Sequence, residues 1–281
     1  MTARISRSNG LFGYRVNAVG LTASAVILFW VFIALFGAQF TPYPPGEIVD
    51  FDYFGPISDK FWLGTDYLGR DMLSRILMGA RYTVGISLAA VVISCTAGVV
   101  LGMMAAVLGG WFDTCLSRFL DALNSIPSKL FGLVVVAGIG SSIPVLIGVL
   151  AVIYTPGAYR FARALAVNIS TMDYVTVARA RGERTPYLIT QEVLPNILGP
   201  VLTDMGLRFV FIVLLLSGLS FLGLGVQPPN ADWGSLVREN IGGLAFGAPA
   251  VIMPSIAIAT LTISVNLLID NLPVRIRDRS E

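Results

Sequence analysis

Residues 82–112 read YTVGISLAAVVISCTAGVVLGMMAAVLGGWF, 31 positions without a charged side chain. A helix needs roughly 20 apolar residues to cross a hydrocarbon core about 30 Å thick, so this run is long enough to span. Four more uncharged runs accompany it: residues 19–40 (22 positions), 130–159 (30), 209–231 (23) and 241–269 (29). A buried helix of a large soluble protein could explain one such run, but not five. Composition points the same way: 55% of the 281 residues are hydrophobic and 13% charged, mean hydropathy is +0.78, and soluble domains average about 25% charged residues. These features predict an all-α integral membrane protein. The run at 19–40 exceeds the roughly 7–15 apolar residues of a secretory signal, so it reads as a retained anchor.

The run at 130–159 is too long for one crossing, since thirty helical residues would reach about 45 Å. Gly138, Gly140, Ser141, Ser142 and Pro144 lie inside it and supply a turn. Two spans are therefore expected there. The first begins near Cys115 and includes Arg118, Asp121 and Lys129; the second ends near Tyr159. That makes six transmembrane helices. Residues 1–18 hold Arg4, Arg7 and Arg15 with no acid, and the tail holds Arg275, Arg277 and Arg279. The positive-inside rule places both termini in the cytoplasm, which an even number of crossings satisfies.

The expected organisation is then a cytoplasmic segment 1–18, a first span 19–40, an external loop 41–81, and a core 82–281 of five spans. Within the core, 160–196 is a cytoplasmic loop and 226–247 an external one. Segment 41–81 carries Lys60, Arg70, Arg75 and Arg81 against Glu47, Asp50, Asp52, Asp59, Asp66 and Asp71, whereas the cytoplasmic loop carries Arg160, Arg163, Arg179, Arg181 and Arg184. This asymmetry fits the orientation.

Several function classes lack their residues. There is no histidine, and the two cysteines, Cys95 and Cys115, have neither metal spacing nor a disulfide framework. No metal or cofactor is expected on this chain, and no clustered nucleophile and base suggest an enzyme. The net charge of +2 is scattered, so no nucleic-acid partner is expected. Lys60 follows Asp59 and Lys129 follows Ser128, so the Gly-Lys pair of a phosphate-cradling P-loop is missing.

The predicted cytoplasmic loop contains NISTMDYVTVARARGERTPYLITQEVLPN at 168–196. Ser170 and Asp173 have capping-box spacing. A helix is expected from about Met172 to Arg181, stopped by Gly182. Thr185 suits an N-cap and Pro186 the first position of a second helix, with Pro195 ending the element. Small Ala178, Ala180 and Gly182 leave room for a partner, and Arg179, Arg181 and Arg184 can bind carboxylates.

This loop resembles the characteristic loop of ABC-importer permeases, in which an EAA triplet precedes a glycine and, further on, a Leu-Pro pair. Thr176, Val177 and Ala178 occupy the triplet, Gly182 the glycine and Leu194-Pro195 the ending. Two positions depart from the pattern: Thr176 replaces the glutamate, and Glu192 replaces an apolar residue. Three further stretches, WLGTDYLGRDMLSRILMGAR (62–81), YTPGAYRFAR (154–163) and SFLGLGVQPPNADWGS (220–235), resemble dipeptide, oligopeptide and nickel permeases of the C-subunit type.

The resemblance implies a type I ABC-importer permease fold in a bacterial inner membrane. It also implies a homologous second permease, two ATPase subunits carrying ATP and Mg, and an external solute-binding protein. Asp173, Thr176, Ala178, Arg179, Ala180, Gly182, Leu194 and Pro195 would then form the loop that couples to the ATPases. Asp232, Trp233 and Arg238 are candidate contacts for the binding protein. Relatives of this kind carry peptides, glutathione, opines or nickel complexes.

The alternative is a self-contained secondary transporter or channel, which would show internal repeats and ionisable residues at the bilayer midplane. No repeat is evident. Lys129 could snorkel to an interface or face a pathway. Asp204 and Arg208 read as an i,i+4 pair at a cytoplasmic helix end or as a charge lining the pathway, and the Gly98–Gly102 GxxxG as close packing, internal or between subunits.

Overall fold

The computed structural model describes residues 18–44, 46–51 and 53–271. The six terminal arginines that set the expected orientation, and Asp52, lie outside the described residues.

All named elements are helical, and an isolated bridge between Thr65 and Asp71 is the only strand-like pairing among the described residues. Ten α-helices run α1 Ala18–Phe36, α2 Met72–Leu108, α3 Gly110–Asn124, α4 Ser128–Ile139, α5 Ile143–Ser170, α6 Asp173–Ala180, α7 Thr185–Tyr187, α8 Leu194–Phe221, α9 Trp233–Glu239 and α10 Pro249–Asp270. A π-helical turn, Leu188–Val193, joins α7 to α8.

Among the described residues, five stretches are long and apolar enough to cross a membrane: Ala18–Gln39, Met72–Leu108, Ile143–Ser170, Thr185–Phe221 and Pro249–Asp270. The sixth expected span exists only as the pair α3 and α4, bent by 81° at the break. Pro127 immediately precedes α4, and proline disfavours helical backbone in the residue before it. Lys129 stands in the first turn of α4 and is exposed, so it belongs to the break rather than to the middle of a span. The expected turn near 138–144 is present, with Gly140 at φ +114° and α5 starting at Ile143.

The bundle centres on α2 and α5. A Cβ on Gly98 would fall 2.5 Å from the Ala158 Cβ and 2.7 Å from the Tyr159 nitrogen; one on Gly102 would meet the Arg163 nitrogen at 2.8 Å. The GxxxG therefore packs α2 on α5 within the chain, because only glycine lets the backbones approach this closely. At the other end of α2, Met72, Ile76, Ala80 and Val84 form one core with Trp233, Leu236 and residues of α10. The outward face of α1 shows Leu21, Leu28, Phe29, Phe32 and Leu35. That face suits hydrocarbon rather than water.

Candidate functional site

Two polar constructions occupy opposite ends of the bundle, since the helical stretch Thr185–Phe221 meets α6 at Leu188 near its start and α9 at Ser217, against Gly234, near its end. The first is α6. Its N-cap is Met172, without a side-chain cap, and the Ser170 hydroxyl donates instead to the Val167 carbonyl. The expected capping box does not form, because α5 continues through Ser170 and claims that hydroxyl. The C-terminal stop forms as expected. Gly182 sits at φ +83°, its N–H donates to Arg179 O and the Glu183 N–H to Ala178 O. This is a Schellman closure, which favours glycine at the left-handed position.

The second helix starts one residue earlier than expected, with Arg184 as N-cap and Thr185 as the first helical residue. Pro195 does not end it. Proline cannot donate to the carbonyl four residues back, and the ladder re-registers as a π turn just before Leu194. The helix then continues to Phe221.

Burial separates the two faces of α6. Val175 and Ala178 are fully buried and pack on Leu188, with Val107 and Ile169 against them. Ala178 thus anchors α6 to its own bundle rather than making room for a partner. Arg179 reaches back to the Val107 carbonyl. Asp173, Thr176, Ala180, Arg181 and Gly182 are exposed, together with Met172 and Val177. Sequence reading passed over these two apolar side chains. The signal was available for Val177, whose spacing takes it off the face set by Val175 and Ala178; Met172, three positions before Val175, is exposed because it is the N-cap that precedes the helix.

The second construction joins segment 61–75 to α9. Arg70 and Arg75 both bind Asp66 Oδ2, each at 2.7 Å, and Glu239 Oε2, at 3.0 and 2.8 Å. Asp66 also accepts the Leu68 and Arg70 N–H groups. Two cations and two anions close a neutral, largely buried cluster, so its charges are paired as burial requires.

Asp232 and Trp233 belong to this interior. Trp233 is 0% exposed, its indole donates to Ile76 O at 3.1 Å, and it meets Trp30 edge to face. Asp232 is 1% exposed and caps α9 through the Ser235 N–H. Burial pushes its carboxyl up from the ordinary value, against the opposing hydrogen bonds from Ser220 and from the backbone of Ser235, Val226 and Gly234. Neither residue presents a surface to a second protein. The apolar character of Trp233 and the capping role of Asp232 take them into the core. Arg238 alone of the three is exposed.

Asp204 and Arg208 form a two-pronged i,i+4 pair, but inside α8 rather than at its end. The guanidinium lies in the space above Gly157, where a Cβ would come within 2.5 Å of Nη1. Cys95 is buried and Cys115 exposed, both free, and no metal-binding cluster occurs among the described residues.

Residues 98–278 match the family described as binding-protein-dependent transport system inner membrane component. The chain belongs to that family. This permease is 34% identical over 267 residues to the di/tripeptide transport system permease protein DppC of Pseudomonas aeruginosa, covering 93% of this chain and 88% of that one. It is 31% identical over 256 residues to the glutathione transport system permease protein GsiD of Pectobacterium atrosepticum, covering 90% and 85%. An amino acid ABC transporter crystallised with histidines shares its fold, at TM-score 0.51 and 15% identity over 71% of this permease and 91% of that chain. The reading as a multi-pass ABC-transport permease therefore stands.

Proposed function

We infer that the permease is half of the translocation pathway of an ATP-driven importer for short peptides or peptide-like solutes such as glutathione. A homologous permease would complete the pathway, two ATPase subunits with ATP and Mg would drive it, and an external binding protein would deliver the solute. Both termini and α6 would lie in the cytoplasm, and the loop before α2 and helix α9 outside. The substrate class is supported by the relatives' names.

The observation that carries the coupling role is the two-faced α6. Its buried face, Val175 and Ala178, fixes it to α5 and the π turn, while Met172, Val177 and Arg181 stand free at the end of the bundle. A helix held on one side and bare on the other transmits a push. The ATPase dimer, closing on ATP, would move α6, and α6 would move α5 and α8. Asp173, Thr176, Arg179, Ala180 and Gly182 belong to this element, with Leu194 and Pro195 at its far end.

The test is to tag the chain, purify it gently from its native membrane, and identify co-purifying polypeptides by mass spectrometry. Two ATP-binding subunits and a second permease are expected. A chain that comes out alone and supports uptake without ATP would establish the secondary-transporter alternative instead.

A further inference from the structure

Beside the buried cluster lies a cavity of about 220 Å³, lined by Tyr67, Ser220, Gln227, Ser235, Arg238 and Glu239 among others. Most of its donors are already engaged. The Ser220 hydroxyl donates to Asp232, and that of Ser235 contacts Val226 O and Asp232. The Gln227 amide donates to Gly223 O and Gly225 O. Glu239 is held by Arg70 and Arg75. Two donors remain without a hydrogen-bond or ion-pair partner among the described residues: the Arg238 guanidinium and the Tyr67 hydroxyl.

The guanidinium is not loosely placed. A Cβ on Gly223 would come within 2.7 Å of Arg238 Cζ and Nη1 and 2.9 Å of Nη2. Near-equal approach to all three atoms means that the planar group lies face-on over the glycine. Gly223 itself sits at φ +89°, a conformation natural to a residue without a Cβ. The fold thus holds a guanidinium flat at the cavity wall and gives it no anion. A guanidinium fork binds carboxylates with two parallel hydrogen bonds.

We propose that this cavity is a carboxylate-binding site, with Arg238 as its anchor and the Tyr67 hydroxyl as a second donor. The carboxylate belongs either to a free solute or to an acidic side chain of a protein docked at this end. The solute case is independent of the importer reading, whereas the docked case rests on it. A cation is also favoured at a helix C-terminus by the backbone dipole, and Arg238 is in the last turn of α9. That role needs charge alone, so lysine would fill it equally well, whereas two-pronged carboxylate binding needs arginine.

The full chain, in nanodiscs, is titrated with acetyl-glycyl-glycine and with its C-terminal amide by saturation-transfer NMR. In parallel, capture of the co-expressed binding protein is measured. For the free-solute source, the acid binds at least about tenfold more tightly than the amide, the scale of one charge-assisted hydrogen bond. Arg238→Gln abolishes the difference, Arg238→Lys keeps only part of it, and Tyr67→Phe weakens it. For the docked source, the free acid does not bind, but Arg238→Gln lowers capture of the binding protein and Arg238→Lys restores it only in part. Equal binding of acid and amide with capture unaffected by Arg238→Gln overturns the proposal. So does full equivalence of the lysine variant in both assays. If the wild-type chain captures no binding protein, the importer reading is what fails, and the acid–amide comparison decides the site by itself.

Discussion

Nη1 of Arg75 lies 2.8 Å from Oε2 of Glu239, although 164 positions separate the two residues. Arg75 stands in the first turn of α2 and Glu239 closes α9. The contact ties the first turn of α2 to the end of α9 by charge, at a place where both side chains are largely withdrawn from solvent.

Glu239→Gln leaves Arg70 and Arg75 sharing one carboxylate, so a net positive charge stays buried. Breaking a buried pair in this way costs about 3–5 kcal/mol. The thermal unfolding midpoint of the detergent-solubilised chain should fall, and Glu239→Asp should recover part of the loss. An unchanged midpoint would mean that water reaches the cluster.

Trp233→Ala removes a fully buried indole and the donor to Ile76 O. The loss should be about 3–5 kcal/mol, read as lower folded yield and a lower midpoint for the chain on its own. A residue serving only as a docking contact would leave both unchanged.

Gly98→Ala places a methyl against the backbone of α5 and should destabilise by about 1–3 kcal/mol. Gly148, in α5, has nothing within 4 Å of its Cβ position. Gly148→Ala should therefore be neutral or stabilise by up to about 1 kcal/mol. Equal effects of the two substitutions on the midpoint would contradict the packing described here.

Asp204→Asn strands the Arg208 guanidinium inside α8 and should be strongly destabilising, on the order of 3–5 kcal/mol. Adding Arg208→Gln should recover most of that. The measurement is a double-mutant cycle on the unfolding midpoint, and additive losses would argue that the two charges do not depend on each other.

Gly182→Asn should preserve uptake, because asparagine tolerates left-handed backbone. Gly182→Trp should keep membrane insertion while separating ATP hydrolysis from uptake in the assembled transporter. No described atom lies within 4 Å of its Cβ position, so the backbone cost is left-handed strain of about 1–2 kcal/mol, and a larger loss of coupling points to the bulk meeting a partner. Wild-type uptake by the tryptophan variant would remove α6 from the coupling route.

Most of the spans were legible as uncharged runs, because length against the bilayer is a local property. The Gly182 stop was also legible, since one residue and its backbone angle decide it. The bend at Pro127 was underread: apolar content dominates a span count, and a single proline does not lower it. Asp66, Arg70 and Arg75 counted in the sequence as external-loop charges, yet their burial depends on Glu239, which no local window contains. Trp233 was misplaced for the same reason: its motif was recognisable, but the neighbours that enclose it, Ile76, Thr83 and Trp30, come from α1 and α2. Asp232 has local partners, Ser220, Val226 and Ser235, and its N-cap role rather than a distant contact takes it inside.

Residues Thr185–Phe221 form one helical stretch of 37 residues, about 55 Å long at 1.5 Å per residue. Its foot packs under α6, and its top ends beside Ser220, which hydrogen-bonds Asp232. The two ends of the bundle therefore share a single strut with a joint near its base, where the π turn lies. If that strut tilts as a unit, its two ends move in opposite senses, like a seesaw, and the proposed transport cycle would then need no helix to refold.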